Sequence, residues 1–204
     1  LESMKKQAGR LTSLRQKAAS VVERQMKEKL IPLGIPNVQF KVELTPKEVP
    51  DETGTDKINF LFSANKNGQL QPISQVASGG EIARVMLSLK AMISGAVKLP
   101  TIIFDEIDTG VSGSIAEKMA HIMQEMGALN RQVISITHLP QIAALGSTHY
   151  KVYKEDHAEG TSSHIVQLDE KGRVEEIAHM LSGTTLTDAA INNAKELLNQ
   201  SYRK

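Results

Sequence analysis

Cysteine and tryptophan are absent from this 204-residue chain, and aromatic residues make up only 3% of it. Without cysteine, the chain has no disulfide framework and no thiolate for a metal or a nucleophile, which fits a reducing cytoplasm. The scarcity of aromatic rings leaves a base-stacking platform for nucleic acid unsupported. No uninterrupted apolar run is long enough to span a membrane, so the composition predicts an ordinary globular protein with an aliphatic core.

A GxxxxGK[ST] phosphate loop is also missing, since none of the 14 glycines is followed directly by lysine. In P-loop enzymes this loop cradles the phosphates of a nucleoside triphosphate, and its lysine neutralises their charge. A chain without the loop is expected to bind ATP weakly at best and to hydrolyse none by itself.

The most informative segment present is residues 101–108, where an apolar run ends in adjacent carboxylates. The run from Thr101 to Phe104 lacks polar alternation, which predicts a central parallel strand buried on both faces. Ligands of such sheets bind beyond the carboxyl ends of the strands, where Asp105 and Glu106 would emerge. Asp105 can hold a hard cation such as Mg²⁺, and Glu106 can orient or deprotonate an attacking water. This is a Walker B arrangement.

A predicted helix start lies at residues 76–84. Ser78 followed three residues later by Glu81 forms a capping box, so the helix should begin at Ser78. Gly79 and Gly80 then occupy its first turn, where each costs up to about 1 kcal/mol relative to alanine. Two such glycines indicate that something approaches the backbone closely, and a helix N-terminus suits a phosphate. The alternative is a well-capped amphipathic helix with no ligand.

A second apolar strand is predicted at residues 131–138 and ends in His138. It follows a strand and a helix, so a crossover would place it parallel to the strand of Asp105. His138 and Glu106 would then share one sheet edge, where the imidazole can donate to a phosphate oxygen. A lone histidine at a strand end is more commonly structural, and that alternative stays open.

In this order, the three segments resemble the signature motif, Walker B motif and switch histidine of the ABC-type ATPases, which include the SMC proteins. Residues 77–84, 104–113 and 137–143 are together most similar to the RecN family of bacterial DNA repair proteins. The similarity covers most of residues 70–200. Ser112 stands where transporters and SMC proteins usually carry the aspartate of the D-loop, and the RecN family shares this departure.

The resemblance implies an α/β fold, namely the C-terminal lobe of an ABC/SMC-type ATPase head, with a mostly parallel sheet flanked by helices and an N-terminal coiled-coil stub. It implies ATP and Mg²⁺ as cofactors, with hydrolysis at a composite site between two heads. In that site Asp105 supports Mg²⁺, Glu106 is the general base and His138 contacts the γ-phosphate. Four residues at the helix start bind the ATP held by the opposite head: Ser78, Gly79, Gly80 and Glu81.

The resemblance also implies partners. In the RecN family the phosphate loop lies near the N-terminus of a much longer polypeptide, before a coiled-coil excursion. This chain starts at Leu1 rather than methionine, so it is expected to be a C-terminal piece that needs the N-terminal half of its own head. A second head in an ATP-dependent homodimer and DNA are the other implied partners. The resemblance further implies a nucleoid-associated location in the cytoplasm and no membrane partner.

Residues 1–30 are predicted to be a helix, the remnant of a coiled-coil arm, and residues 31–204 the C-terminal half of the head. Apolar residues recur in the first segment at helical spacing, although Arg15 interrupts the stripe. This segment contains eight basic and three acidic residues. Such an excess of positive charge is usually a solvated helix surface and does not by itself indicate DNA binding.

The breakers and periodicity of the remaining chain predict a short set of further elements. Strands are expected at 37–44 and 57–64, separated by a polar and mobile loop at 45–56. A helix at 113–127, a short helix at 139–145, a hairpin of 149–154 with 163–168, and helices at 173–182 and 186–200 follow.

Two other functions compete with the ATPase. Asp105, Glu106 and Asp108 could form the metal cluster of a Mg²⁺-dependent nuclease, although the glycines at the helix start would then be unexplained. The chain could also be a non-catalytic dimerisation module. Three histidines of the predicted hairpin and its loop are expected to be solvated surface residues rather than metal ligands: His149, His157 and His164.

Overall fold

The fold is given by a computed structural model, which describes residues 2–76, 78–97, 99–128, 130–157, 160–183 and 185–201. The chain divides into two compact units, Leu1–Lys98 and Leu99–Lys204. The outermost residues, Leu1 and Lys204, which bound the predicted domains, lie outside the described residues. Among the helices of the described ranges, none combines the length and the apolar character needed to cross a bilayer.

Unit 1 consists of two long helices and a small antiparallel sheet. Its elements are α1 (Glu2–Leu30), β1 (Gln39–Asp51), β2 (Gly54–Ser63), β3 (Gln71–Pro72), a 3-10 helix (Ile73–Gln75) and α2 (Gly79–Ala96). The sheet order is β1-β2-β3. Met26 and Leu30 at the end of α1 are fully buried against Phe40 and Phe62 of the sheet and Val85 of α2. The hydrophobic core of unit 1 therefore lies between the C-terminal end of α1, the sheet and α2.

The N-terminal part of α1 is largely exposed, with Met4 and Leu14 more than half accessible. Its polar contacts explain the interruption of the apolar stripe. Arg15 donates to the carboxylate of Asp56 at 2.9 Å and to the carbonyl of Thr53 at 2.7 Å. These contacts tie the helix to the β1–β2 hairpin, while the assignment of residues 1–30 to a coiled-coil arm stays a prediction.

The predicted loop at 45–56 is wrong, because β1 and β2 continue as a hairpin up to the pair Asp51↔Gly54. β1 lies at the edge of its sheet, where prolines without a backbone N–H are tolerated, and the register shifts after Pro46. Hydrogen bonds from Lys47 and Thr53 hold the hairpin end together and keep the pKa of Asp51 at about 2. Sequence reasoning missed these polar contacts, which only the paired strands create.

Unit 2 contains the segments with the acidic and histidine motifs. Its elements are β4 (Thr101–Asp105), α3 (Gly113–Gly127), β5 (Gln132–Ile136), α4 (Pro140–Leu145), β6 (Tyr150–His157), β7 (Gly160–Gln167), α5 (Glu170–Ser182) and α6 (Asp188–Ser201). β4 and β5 are parallel, and β6 and β7 form an antiparallel hairpin. The parallel part of the predicted α/β fold is therefore the β4–β5 pair within the described residues, and the other pairings are antiparallel.

The prediction that β4 is buried on both faces is wrong. Ile102 and Phe104 are buried, whereas Ile103 between them is 54% exposed. On β5, Ile134 and Ile136 are also exposed, and they pair with Ile103 and Asp105 on the same face. The composition of β4 is typical of a strand buried on both faces, but within the described residues one face of this two-stranded sheet stays exposed to solvent.

Candidate functional site

The predicted parallel pairing of the two motif strands is confirmed. β4 and β5 run in register from Thr101↔Gln132 to Asp105↔Ile136. Because parallel strands end at the same edge, the segment that follows Asp105 and the segment that follows Ile136 emerge side by side. The structure therefore brings Asp105, Glu106 and His138 to one sheet edge, as the sequence predicted.

Glu106 leaves this edge with an unusual backbone conformation. Its φ angle is +46°, in the left-handed region that costs a residue with a side chain roughly 1–2 kcal/mol. Its N–H donates to the carbonyl of Ile136 at 3.2 Å, and its carbonyl accepts from the Thr109 hydroxyl at 3.1 Å. These two bonds fix the strained turn, and strain of this kind is concentrated at functional sites.

The side chains of Asp105 and Glu106 are both exposed at the end of β4. Within the described residues, neither carboxylate takes part in a hydrogen bond or an ion pair. Two adjacent exposed carboxylates at the carboxyl edge of a parallel pair fit a hard cation that prefers oxygen ligands, with a second carboxylate left for a water molecule.

Asp108 is the most buried charged side chain at this edge, with only 1% of its surface exposed. Its Oδ2 accepts a short hydrogen bond from the Thr137 hydroxyl and a second, at 3.2 Å, from the backbone N–H of His138. Its Oδ1 lies 3.5 Å from Nδ1 of His138. Asp108 thus links the loop after β4 to the loop after β5, while the imidazole of His138 stays 66% exposed.

This role of Asp108 contradicts the alternative in which it joins Asp105 and Glu106 in a metal cluster. Asp108 is buried, its Oδ2 accepts from Thr137 and His138 and its Oδ1 faces the His138 ring, and among the described residues the ligand atoms of the three carboxylates do not lie close enough together to share one ion. Sequence reasoning missed this function, although a signal existed. The adjacent donors Thr137 and His138 follow the neighbouring strand and needed an acceptor at the same edge.

The loop from Glu106 to α3 depends on two glycines with left-handed backbones, Gly110 at φ +71° and Gly113 at φ +55°. Ser112 lies between them as the N-cap residue of α3, but its side chain makes no capping hydrogen bond and is exposed. The position at which the family resemblance departs from other ABC-type proteins is therefore a solvent-accessible hydroxyl on a loop shaped by glycine.

The helix predicted to begin at Ser78 is confirmed in unit 1. Ser78 is the N-cap of α2, and its hydroxyl accepts from the Glu81 N–H at 3.4 Å. Gly79 is exposed, and no atom of the described residues beyond its own helix turn lies within 4 Å of a Cβ atom added there. Neither a left-handed backbone nor packing against the described residues requires glycine at position 79, so the helix start is accessible to an external group.

The three histidines considered as metal ligands separate into two groups. His149 is buried, which contradicts its prediction as a surface residue, and its Nε2 has no hydrogen-bond partner in the part of the chain described. Burial, with the nearby Arg173 guanidinium, lowers the pKa of His149 below its ordinary value. His157 is exposed, as predicted, whereas His164 is half-buried, and both lie beside Glu155.

Comparison with known proteins gives a consistent set of relatives. The chain matches no protein-family model. It is 34% identical over 192 residues to the DNA repair protein RecN of Vibrio cholerae and 37% identical over 196 residues to that of Bacillus subtilis. These alignments cover 94% and 91% of this chain but only 34% of each relative. The chain therefore spans about a third of the length of the curated relatives it matches.

Two solved structures of SMC proteins have a similar fold. The Smc head domain with a coiled coil and joint from Pyrococcus yayanosii aligns with a TM-score of 0.61 and 20% identity, covering 83% of this chain and 30% of that one. A structure from work on ATP-driven dimerization and DNA-stimulated activation of SMC ATPases aligns with a TM-score of 0.55 and 17% identity, covering 85% of this chain and 99% of that one. The chain is thus similar in sequence to about a third of the RecN proteins, and it has the fold of an SMC head domain.

Proposed function

We propose that this chain is the C-terminal half of an SMC-like ATPase head that acts in recombinational repair of DNA double-strand breaks. The observation that carries the proposal is the shared edge of β4 and β5, where two exposed carboxylates lie beside a histidine held by the buried Asp108. The RecN name of its relatives and the SMC fold support the same function. Hydrolysis of ATP at an interface between two heads would control how DNA is held.

The residues of the sheet edge fit the chemistry of ATP and Mg²⁺. Bound Mg²⁺ would neutralise charge on the phosphates, and Asp105, which is exposed at the strand end, would hold it directly or through water. Glu106 would accept the proton of the attacking water on its free carboxylate. His138 would donate to the γ-phosphate from an imidazole oriented by Asp108, so that its exposed side faces the ligand.

The start of α2 would bind the ATP held by the opposite head. Its first turn, which is exposed at Ser78 and Gly79, offers backbone N–H groups and the positive end of the helix dipole. The open space at Gly79 is what close approach by a phosphate requires. Four residues would take part in this contact: Ser78, Gly79, Gly80 and Glu81. Because this contact needs two heads, nucleotide binding would be coupled to formation of the homodimer.

The exposed apolar face of the β4–β5 sheet would be covered by the N-terminal half of the same head. Ile103, Ile134 and Ile136 present this face, and the relatives contain about twice as much further sequence as this chain provides. Burial of such a face is favourable by about 25 cal/mol per Å². The same N-terminal half would supply the missing phosphate loop. The assembled head would act on DNA in the cytoplasm.

The proposal is tested by Glu106→Gln in the full-length protein. The substitution keeps size and hydrogen bonding but removes the base, so ATP hydrolysis should fall by about 10² to 10⁴ while ATP binding persists. An ATP-dependent dimer should then accumulate, which light scattering detects. The 204-residue chain alone provides the control, because calorimetry should find little ATP binding and no hydrolysis. Unchanged turnover of Glu106→Gln, or micromolar ATP affinity of the isolated chain, would contradict the proposal.

A further inference from the structure

The β6–β7 hairpin carries a group of metal-ligating side chains on one of its faces. Glu155 and His157 are two residues apart on β6, so their side chains point to the same side of the sheet. His164 of β7 pairs with Tyr153, one step further along that face. The antiparallel register therefore collects a carboxylate and two imidazoles from two strands, which the spacing of these residues in the sequence does not reveal.

The ligand atoms of this group are already close to the spacing that a tetrahedral ion requires. Nε2 of His164 lies 3.4 Å from Oε2 of Glu155, and Nε2 of His157 lies 4.0 Å from the same oxygen. All three ligand atoms lie within 4.8 Å of one another. With metal–ligand bonds of about 2.0–2.2 Å, tetrahedral ligands are separated by roughly 3.3–3.6 Å. One pair meets this distance already, and the others need only rotation of exposed side chains.

The orientation of His164 is fixed by its surroundings. Its ring stacks on Tyr153 with centroids 5.2 Å apart and an angle of 22° between the planes. Its Nε2 is shielded from solvent yet has no hydrogen-bond partner in the described part of the chain, because the contact with Glu155 lacks hydrogen-bond geometry. A buried nitrogen lone pair or N–H without a partner is costly, and coordination of a metal ion would satisfy it.

We propose that Glu155, His157 and His164 form a binding site for one divalent transition-metal ion, with Zn²⁺ as the best fit. Two imidazole nitrogens and one carboxylate oxygen favour zinc, whereas Mg²⁺ prefers a full set of oxygen ligands. Three protein ligands leave the fourth position to water. The ion joins β6 to β7 and so fixes this face of the hairpin. The site is independent of the ATPase proposal and shares no residue with it.

The test is a titration of the metal-free 204-residue chain with Zn²⁺ alone, monitored by isothermal titration calorimetry. The wild-type chain should bind one ion per chain in a saturable step that excess Mg²⁺ does not block. Loss of an outer-sphere partner of a metal site weakens binding about 10- to 100-fold, so loss of a direct ligand should cost at least about 100-fold. His157→Ala and Glu155→Gln are the principal variants, because both side chains are about half exposed and lie outside the core.

His121→Ala is the matched control. His121 lies 3.9 Å from Glu117 on α3, so it forms a histidine–carboxylate pair of similar spacing without a second imidazole. This variant should retain the wild-type affinity for Zn²⁺. Replacement of Zn²⁺ by Co²⁺ should produce the visible absorption of a tetrahedral site in the wild-type chain and in His121→Ala only. Absence of saturable binding, or binding that survives both His157→Ala and Glu155→Gln, would overturn the proposal.

Discussion

Asp108 offers the most direct test of how the sheet edge is built. Asp108→Ala removes the acceptor of the Thr137 hydroxyl and of the His138 N–H, and it leaves a gap at a position that is 1% exposed. Asp108→Asn keeps the volume and one acceptor oxygen but replaces the other oxygen, which faces Nδ1 of His138, by an amide group. The two variants separate loss of the contacts from loss of the carboxylate alone.

The expected magnitudes follow from the contacts. A polar group left unpaired in a buried place costs about 1–3 kcal/mol, and Asp108→Ala leaves two donors in this state. Because Thr137 is only half-buried, water recovers part of the loss, and the free energy of unfolding should fall by about 2–4 kcal/mol. Asp108→Asn loses only the difference between hydrogen bonds to charged and to neutral acceptors, so a fall of about 1–2 kcal/mol is expected.

Urea denaturation of the 204-residue chain, monitored by circular dichroism, measures these changes in the free energy of unfolding without any nucleotide. Asp105→Ala is the control, since this exposed carboxylate lies three residues away and its loss should change the free energy of unfolding by less than about 0.5 kcal/mol. Amide hydrogen exchange should accelerate at His138 in both Asp108 variants. If Asp108→Ala were as harmless as Asp105→Ala, with unchanged exchange at His138, the link between the two loops would be refuted.

Two further predictions concern the other unit and the response to pH. Gly79→Ala should leave the isolated chain as stable as before or raise its free energy of unfolding by up to about 1 kcal/mol, because the added Cβ has no close contact with the described residues beyond its own helix turn. In the full-length protein the same change should impair ATP-driven dimerisation, and full dimerisation would contradict the proposed phosphate contact. Burial lowers the pKa of His149 from 6.5. On acidification the unfolded chain therefore protonates this histidine at a higher pH than the folded chain does. The free energy of unfolding should consequently decline as the pH falls from about 6.5 through the lowered pKa. Denaturation midpoints between pH 7.5 and 5 should show this decline in the wild-type chain and a smaller one in His149→Gln; equal declines would exclude His149 as the cause.

Local signals in the sequence predicted the elements of the site well. The cap at Ser78, the strand that ends at Asp105 and the parallel pairing with the strand before His138 all agree with the structure. Each depends on short-range chemistry: a hydroxyl that pairs with the first turn of a helix, or apolar residues that require a neighbouring strand. The prediction of a loop at 45–56 was wrong, because polar and proline-rich residues can also form a hairpin at the edge of a sheet. Here Arg15 of α1 anchors that hairpin through Asp56.

By itself, the sequence determined the class of fold, the acidic strand end with its neighbouring histidine and the absence of a phosphate loop in this chain. Those features follow from residue types and from the periods of helices and strands, which are local properties. Only the tertiary structure decided that Asp108 is the buried partner of His138, that one face of β4 is exposed, and that Glu155, His157 and His164 share a face. These facts depend on strand register and on which surfaces meet, and both are set by packing between residues distant in the chain.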